Sequence, residues 1–221
     1  MNVLLVEDHP LIVNAYENAL RHISFKKRGL KFKIDTANDC DTAYAKAKEA
    51  SKEVLIDIVF LDIQLPSSKD GRLISGEDLG IKIKDILPNA KVIVATTYND
   101  NYRVNSIFKS LNPDGFLIKN DLNPRELVKA IESVIKGTPY YSKSVVQLMR
   151  KQVANGFSID TIDRKMLFEL SRGARMSELP EVLPLSLAAL EKRKRVLKQT
   201  FNIVGKSDRK LLKLAEEKGF I

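Results

Sequence analysis

Asp57-Ile58-Val59-Phe60-Leu61-Asp62-Ile63-Gln64-Leu65-Pro66 is the stretch that decides the fold. Ile58 to Leu61 is short, continuously apolar and β-branched or aromatic, which suits a strand buried on both faces. An acid, Asp62, follows at once. Three other runs have the same form: Val3-Leu4-Leu5-Val6 before Glu7-Asp8, Val92-Ile93-Val94-Ala95 before Thr96, and Gly115-Phe116-Leu117-Ile118 before Lys119. In a parallel α/β sheet the carboxyl ends of the strands form one rim, so these residues, distant in sequence, meet there.

Helix-period stretches lie between the runs, at residues 12–23, 40–50, 76–87, 102–111 and 123–136, and a further strand is expected at 31–35. Repeated strand-helix order implies a doubly wound α/β fold with a five-stranded parallel sheet and right-handed crossovers.

Three carboxylates at one rim repel each other unless a divalent cation neutralises them. Hard oxygen ligands with room for water and phosphate favour Mg²⁺. That arrangement suits phosphoryl transfer to a carboxylate, with Lys119 and the Thr96 hydroxyl holding the other phosphoryl oxygens. A single Asp at a strand end is more often a helix cap or a solvated turn; it is the four pieces in order that point to chemistry.

Val3 to Pro10, Asp57 to Pro66, Val94 to Thr97 and Gly115 to Lys119 together resemble the receiver domain, a flavodoxin-like fold, of two-component response regulators. The resemblance covers residues 1–137. It implies that Asp62 accepts phosphate from a sensor histidine kinase, and that Glu7, Asp8, Asp62 and the Gln64 backbone carbonyl hold Mg²⁺. It further implies that Thr96 and Lys119 sense the phosphoryl group and that Phe116 swings inward on activation. One departure is the loop Ser67-Ser68-Lys69-Asp70-Gly71-Arg72-Leu73-Ile74-Ser75, longer than the family pattern. Gly76 is taken as the glycine that usually follows Pro66 sooner, because Leu79, Ile83, Ile86 and Leu87 continue from it with helical spacing. The loop reads as a solvated insertion, with a kinase contact as the alternative.

At 221 residues the chain has material for two domains. A single cysteine, Cys40, excludes an internal disulfide, and the sequence has no His/Cys cluster for a structural metal site. Acids appear by Glu7, too early for a signal peptide, and no apolar run approaches membrane-spanning length, so a cytoplasmic protein without a membrane partner is expected. The net charge of +9 is uneven: +1 over residues 1–138, +3 over 139–157 and +5 over 158–221. Gly137-Thr138-Pro139 stops the last receiver helix. The expected organisation is a receiver over 1–138, a linker with a helix over 139–157 breaking at Ala154-Asn155-Gly156-Phe157, and an all-α domain over 158–221.

That last domain opens at Asp160 as a helix cap, stops at Gly173, and restarts at Ser177 with Pro180 in its first turn. From Ser186, Leu190, Leu197 and Phe201 recur on one face, while Ala188, Glu191, Lys192, Arg195 and Gln199 occupy the other. Helix, tight turn and basic amphipathic helix suit insertion into a DNA major groove, although a solvated basic face gives the same pattern. Over 159–221 the register resembles the LuxR-type helix-turn-helix of the NarL subfamily, more loosely than the receiver match: Pro180 replaces a usual alanine, Ala189 a threonine, Arg193 a histidine, and Glu191 stands where lysine is common. The resemblance implies DNA contacts by Glu191, Lys192, Arg193 and Arg195; Lys198, one turn further on, would meet phosphate. It also implies dimerisation on phosphorylation, through the Phe116-bearing strand and its neighbours or through the first and last receiver helices. Double-stranded DNA, a sensor histidine kinase, a second copy of the chain and RNA polymerase are thus the candidate partners.

The expected function is phosphorylation-controlled transcription regulation, with enzymatic activity limited to slow autophosphorylation from small donors and autodephosphorylation. Two other classes compete with this reading. A haloacid-dehalogenase-type phosphohydrolase wants an acid two residues after its nucleophile, where this chain has Gln64. A receiver with an RNA- or protein-binding output would need, for single-stranded RNA, an exposed aromatic platform, and Phe201 falls on the apolar face.

Overall fold

The computed structural model describes residues 1–52, 55–152 and 159–221. A parallel sheet is built from β1 (Asn2–Val6), β2 (Lys33–Ala37), β3 (Ile58–Asp62), β4 (Lys91–Thr96), β5 (Gly115–Ile118) and β6 (Tyr140–Tyr141), in the order β2-β1-β3-β4-β5-β6. Helices α1 (Pro10–Lys26), α2 (Cys40–Ala50), α3 (Gly76–Ile86), α4 (Asn101–Leu111) and α5 (Pro124–Ile135) provide the crossovers. The doubly wound parallel sheet is as expected, with one strand more: β6 pairs with β5, Gly115 opposite Tyr140 and Phe116 opposite Tyr141. Two residues at an edge carry too little pattern to announce a strand.

The unbroken apolar strands are buried on both sides, as their composition requires. Leu4, Val59, Val94 and Phe116 belong to one core with α2, α3 and α4; Leu5, Phe60, Ile93 and Leu117 belong to the other with α1 and α5. Register fixes the rim: Val6 lies opposite Leu61, Asp62 opposite Ala95, and Thr96 opposite Ile118. Most helix starts are capped by short polar side chains that accept from first-turn N–H groups, including Asp39 on α2, Ser75 on α3, Asp100 on α4 and Asn123 on α5.

Part of the expected linker is integrated with the receiver. Besides β6, α6 (Lys143–Gln152) packs on the same layer, with Val145, Leu148 and Met149 joining the core beside Phe116. The expected break at Ala154 to Phe157 lies outside the described residues.

Residues 159–221 form α7 (Thr161–Ser171), α8 (Leu187–Thr200) and α9 (Asp208–Glu217) around Met166, Leu167, Leu179, Leu190, Leu197, Leu211 and Phe220. Asp160 and Asp163 make a reciprocal capping box on α7. Between α7 and α8 there is only one 3₁₀ turn, Leu179–Glu181, and its N-cap position is Glu178 with no side-chain cap, not Ser177 as expected. Pro180 is tolerated in its first turn, and Pro184, two residues past the C-cap Val182, accounts for the short length, since its ring cannot supply the N–H that a continuing helix needs.

Candidate phosphoryl and nucleic-acid sites

The strand ends bring Glu7, Asp8, Asp62, Thr96 and Lys119 together. Lys119 donates from Nζ to Glu7 Oε1 and to Asp62 Oδ2, both at 2.8 Å. Gln64 N–H donates to Asp62 Oδ1 at 2.9 Å, closing the turn after β3. Thr96 is buried, and its hydroxyl accepts from the Tyr98 N–H at 3.2 Å. Gly76 lies so close to the Asp62 main-chain carbonyl that a Cβ there would overlap it, which agrees with aligning Gly76 to the turn after the acid. Phe116, expected to swing inward, is already fully enclosed, because α6 closes over it.

Electrostatically the site is under-neutralised. Glu7, Asp8 and Asp62, with exposed His9, can bring one ligand atom each within 4.8 Å of one another, yet Lys119 is the cation bonded to Glu7 and Asp62. Burial, aided by the Asp62 charge, raises the Glu7 pKa despite the bond from Lys119. Burial opposes the Lys119 ammonium, but bonds and charges from Asp62 and Glu7 outweigh it and raise that pKa. Both Glu7 oxygens lie 2.8 Å from Lys119 Nζ, so a single ammonium is shared by Glu7 and Asp62 with Asp8 beside them. Three acids around one ammonium fit a hard divalent cation.

Two features escaped the sequence reading. Tyr16 stacks on Phe60 at 4.7 Å beneath the acids, its phenol without a partner and its pKa raised by burial and by the Glu7 and Asp62 charges. In sequence it is one more residue of a buried helical stripe. The loop over 67–75 is not a solvated insertion. Ser68 N–H donates to the Leu73 carbonyl at 2.8 Å, Leu73 N–H donates to Ser68 Oγ at 2.9 Å, Ser68 Oγ bonds Asp70 at 2.7 Å, and Leu73 and Ile74 are buried.

On α8 the residues divide into two sets. Ser186 caps the helix through Ala189 N–H, and Glu191, Lys192 and Arg195 are exposed on the face opposite Leu190 and Leu197. Arg193 and Lys198 are engaged elsewhere. Arg193 bonds Asp160 at 2.8 Å and Asp163 at 2.9 Å, tying α8 to the α7 cap. Lys198 bonds the Lys206 carbonyl at 2.7 Å and pairs with Asp208, which Lys194 also pairs with. These two cations thus brace their own domain, a role that helical spacing cannot distinguish from a phosphate contact.

Comparison with known proteins agrees with this geometry. The chain is 25% identical over 205 residues to the transcriptional regulatory protein MctR of Rhizobium johnstonii, covering 92% of this chain and 88% of that one. It is 26% identical over 198 residues to the transcriptional regulatory protein RcsB of Escherichia coli, covering 88% and 85%. Among solved structures, RcsB from Salmonella enterica serovar Typhimurium, bound to a promoter in the presence of the phosphomimetic BeF₃⁻, superposes with a TM-score of 0.64 at 21% identity over 96% of each chain. The Response regulator receiver domain model matches residues 3–132, more than half of the sequence and all of the strand ends described above, and the chain belongs to that family.

Proposed function

We propose that phosphorylation of Asp62 by a sensor histidine kinase controls binding of this response regulator to double-stranded DNA, and so regulates transcription in the cytoplasm. The observation that carries the reading is the joint grip of Lys119 on Glu7 and Asp62 at the ends of three strands. Glu7, Asp8, Asp62 and the Gln64 carbonyl would hold Mg²⁺, which screens the acids so that a phosphoryl dianion can approach. Lys119 then takes phosphoryl oxygens in place of carboxylate, and the Thr96 hydroxyl turns to another. Slow turnover follows from neutral Gln64, which is no base for water.

We assign the receiver to 1–138, the connecting segment to 139–157 and the DNA-binding part to 158–221, with Glu191, Lys192 and Arg195 as base-reading candidates. Dimerisation fits α1. With β6 and α6 covering β5 and α4, the Phe116 side is closed, whereas Leu11 is 82% and Phe25 89% exposed on α1. They flank exposed Asn18 symmetrically, as a two-fold antiparallel pairing requires.

Acetyl phosphate with Mg²⁺ is expected to label Asp62 with one acid-labile phosphate, and Asp62→Asn is expected to take none. Equal labelling of that variant overturns the assignment.

A further inference from the structure

His9 gives the acidic rim a nitrogen donor. It occupies the N-cap position of α1, where Ser, Thr, Asp or Asn normally accepts from a first-turn N–H, and its side chain makes no such bond. The ring is turned back to the acids instead: Nδ1 lies 2.6 Å from Asp8 Oδ1 and 3.3 Å from Glu7 Oε1. Pro10, at the first helical position, fixes the chain just after it. With one atom of Asp62 added, four donors from four residues, one nitrogen and three carboxylate oxygens, lie within 4.8 Å of one another. The imidazole is 69% exposed and free to adjust, whereas Glu7 and Asp62 are held by burial and by Lys119. As an exposed ion pair, the contact with Asp8 alone would be commonplace; the second approach, to buried Glu7, makes the four residues one donor set.

Donor chemistry separates the cations such a set can take. Mg²⁺ demands near-octahedral oxygen and keeps several waters, so it draws on the acids and has no use for nitrogen. Imidazole suits Zn²⁺ and its borderline neighbours. Zn²⁺ prefers four donors at about 2.0–2.2 Å in a tetrahedron, whose edges are then about 3.3–3.6 Å; the His9–Glu7 separation of 3.3 Å already has that span. Four protein donors complete the tetrahedron, and a completed tetrahedron has no position for water or for a phosphoryl oxygen.

We propose that His9, with Glu7, Asp8 and Asp62, gives this rim a second, closed coordination state that holds Zn²⁺ or a cation of that class, and that this state blocks phosphorylation. In it Asp62 is committed as a ligand, and exposed His9 closes the solvent side of the buried acids. With Mg²⁺, His9 stands aside and the rim is open to a phosphodonor.

The block rests on the reading of Asp62 as phosphoacceptor, and the test separates the two. The chain has two histidines, His9 and His22, so ¹⁵N NMR of histidine-labelled protein carries an internal control. Zn²⁺ added to the metal-free parent is expected to shift the His9 Nδ1 resonance and to leave His22 unmoved, and Co²⁺ in its place is expected to give the intense visible band of four-coordinate cobalt. Calorimetry of His9→Ala is expected to show Zn²⁺ binding weaker by roughly 100-fold or more, above the usual loss on removing an outer-shell partner, with Mg²⁺ affinity changed far less. Labelling of the parent by acetyl phosphate in Mg²⁺ is expected to stop with equimolar Zn²⁺, and His9→Ala is expected to need a correspondingly higher Zn²⁺ concentration. Equal Zn²⁺ affinity in parent and variant, or bound Zn²⁺ that leaves the His9 resonance unmoved, overturns the site; the NMR arm uses the parent chain and so stands whether or not the variant folds. Zn²⁺ bound through His9 without slowing of labelling overturns the block. Failure of the parent to be labelled at Asp62 in Mg²⁺ alone overturns the phosphoacceptor reading and the block with it, while NMR and calorimetry judge the Zn²⁺ site independently.

Discussion

Glu77→Gln is the substitution whose cost the structure defines best. The Glu77 carboxylate is 1% exposed, and it faces Arg103, Arg164 and the Ser110 hydroxyl, which donates at 2.5 Å. Glutamine keeps the shape and one acceptor but removes the charge. Arg164 retains Asp78, whereas Arg103 is left buried with Nε and Nη2 already unpartnered. Removing one member of a buried pair costs about 3–5 kcal/mol, which for a chain of this size lowers the melting temperature by roughly 6–20 °C. The pH dependence has a definite sign. Burial alone would raise the Glu77 pKa, but Arg103 and Arg164 hold it below its ordinary 4.5. Its contribution is therefore complete above the ordinary glutamate range and is lost as pH falls through the lower native value. Urea melts of parent and variant from neutral to acid pH are thus expected to differ most near neutrality and to converge in acid. Adding Arg103→Met to Glu77→Gln removes both charges, and is expected to recover about 1–3 kcal/mol relative to Glu77→Gln alone. A loss under about 1 kcal/mol, the scale of an exposed pair, or no recovery in the double variant, would refute the reasoning.

Other substitutions test other parts of the molecule. Gly76→Ala places a Cβ on the Asp62 carbonyl, so it is expected to cost about 1–3 kcal/mol and to abolish acetyl phosphate labelling; a normal labelling rate would show that the turn after Asp62 tolerates displacement. Leu11→Glu with Phe25→Glu should change monomer stability by no more than about 0.5 kcal/mol while keeping the beryllofluoride-treated chain monomeric in sedimentation, and a persistent dimer would move the interface away from α1. Arg195→Ala should cost about 1–3 kcal/mol at a DNA site selected from random duplexes and relax one base preference. Lys198→Ala, whose partner is Asp208, should leave the salt slope of binding unchanged; a slope reduced by about one would restore Lys198 as a phosphate contact.

How far the molecule is legible in sequence depends on whether a residue's job is local. Strands such as Ile58–Asp62 announce themselves because burial on both faces demands an unbroken apolar run, and the rim follows because a parallel sheet must place Glu7, Asp62, Thr96 and Lys119 at the same edge. Caps such as Asp39, Asp160 and Ser186 are legible for the same reason, their partners being three residues away. The failures involve distance. Glu77 and Asp78 look like ordinary acids in a first helical turn, favoured there by the helix dipole, and nothing nearby shows that Arg103 and Arg164 will bury them. Arg193 and Lys198 lie on a basic helix, and only the fold shows that Asp160, Asp163 and Asp208 have taken them. A buried ion pair is written as two commonplace charges far apart in the chain, so pattern reading assigns both to solvent or to a ligand. In this chain such pairs gather mostly on one surface: Glu77, Asp78, Asp100, Arg103, Arg164 and Lys218 all lie where residues 159–221 meet the receiver. The part of the molecule least visible in sequence is therefore the surface where residues 159–221 meet the receiver, because each charge there finds its partner only when two distant segments fold against each other.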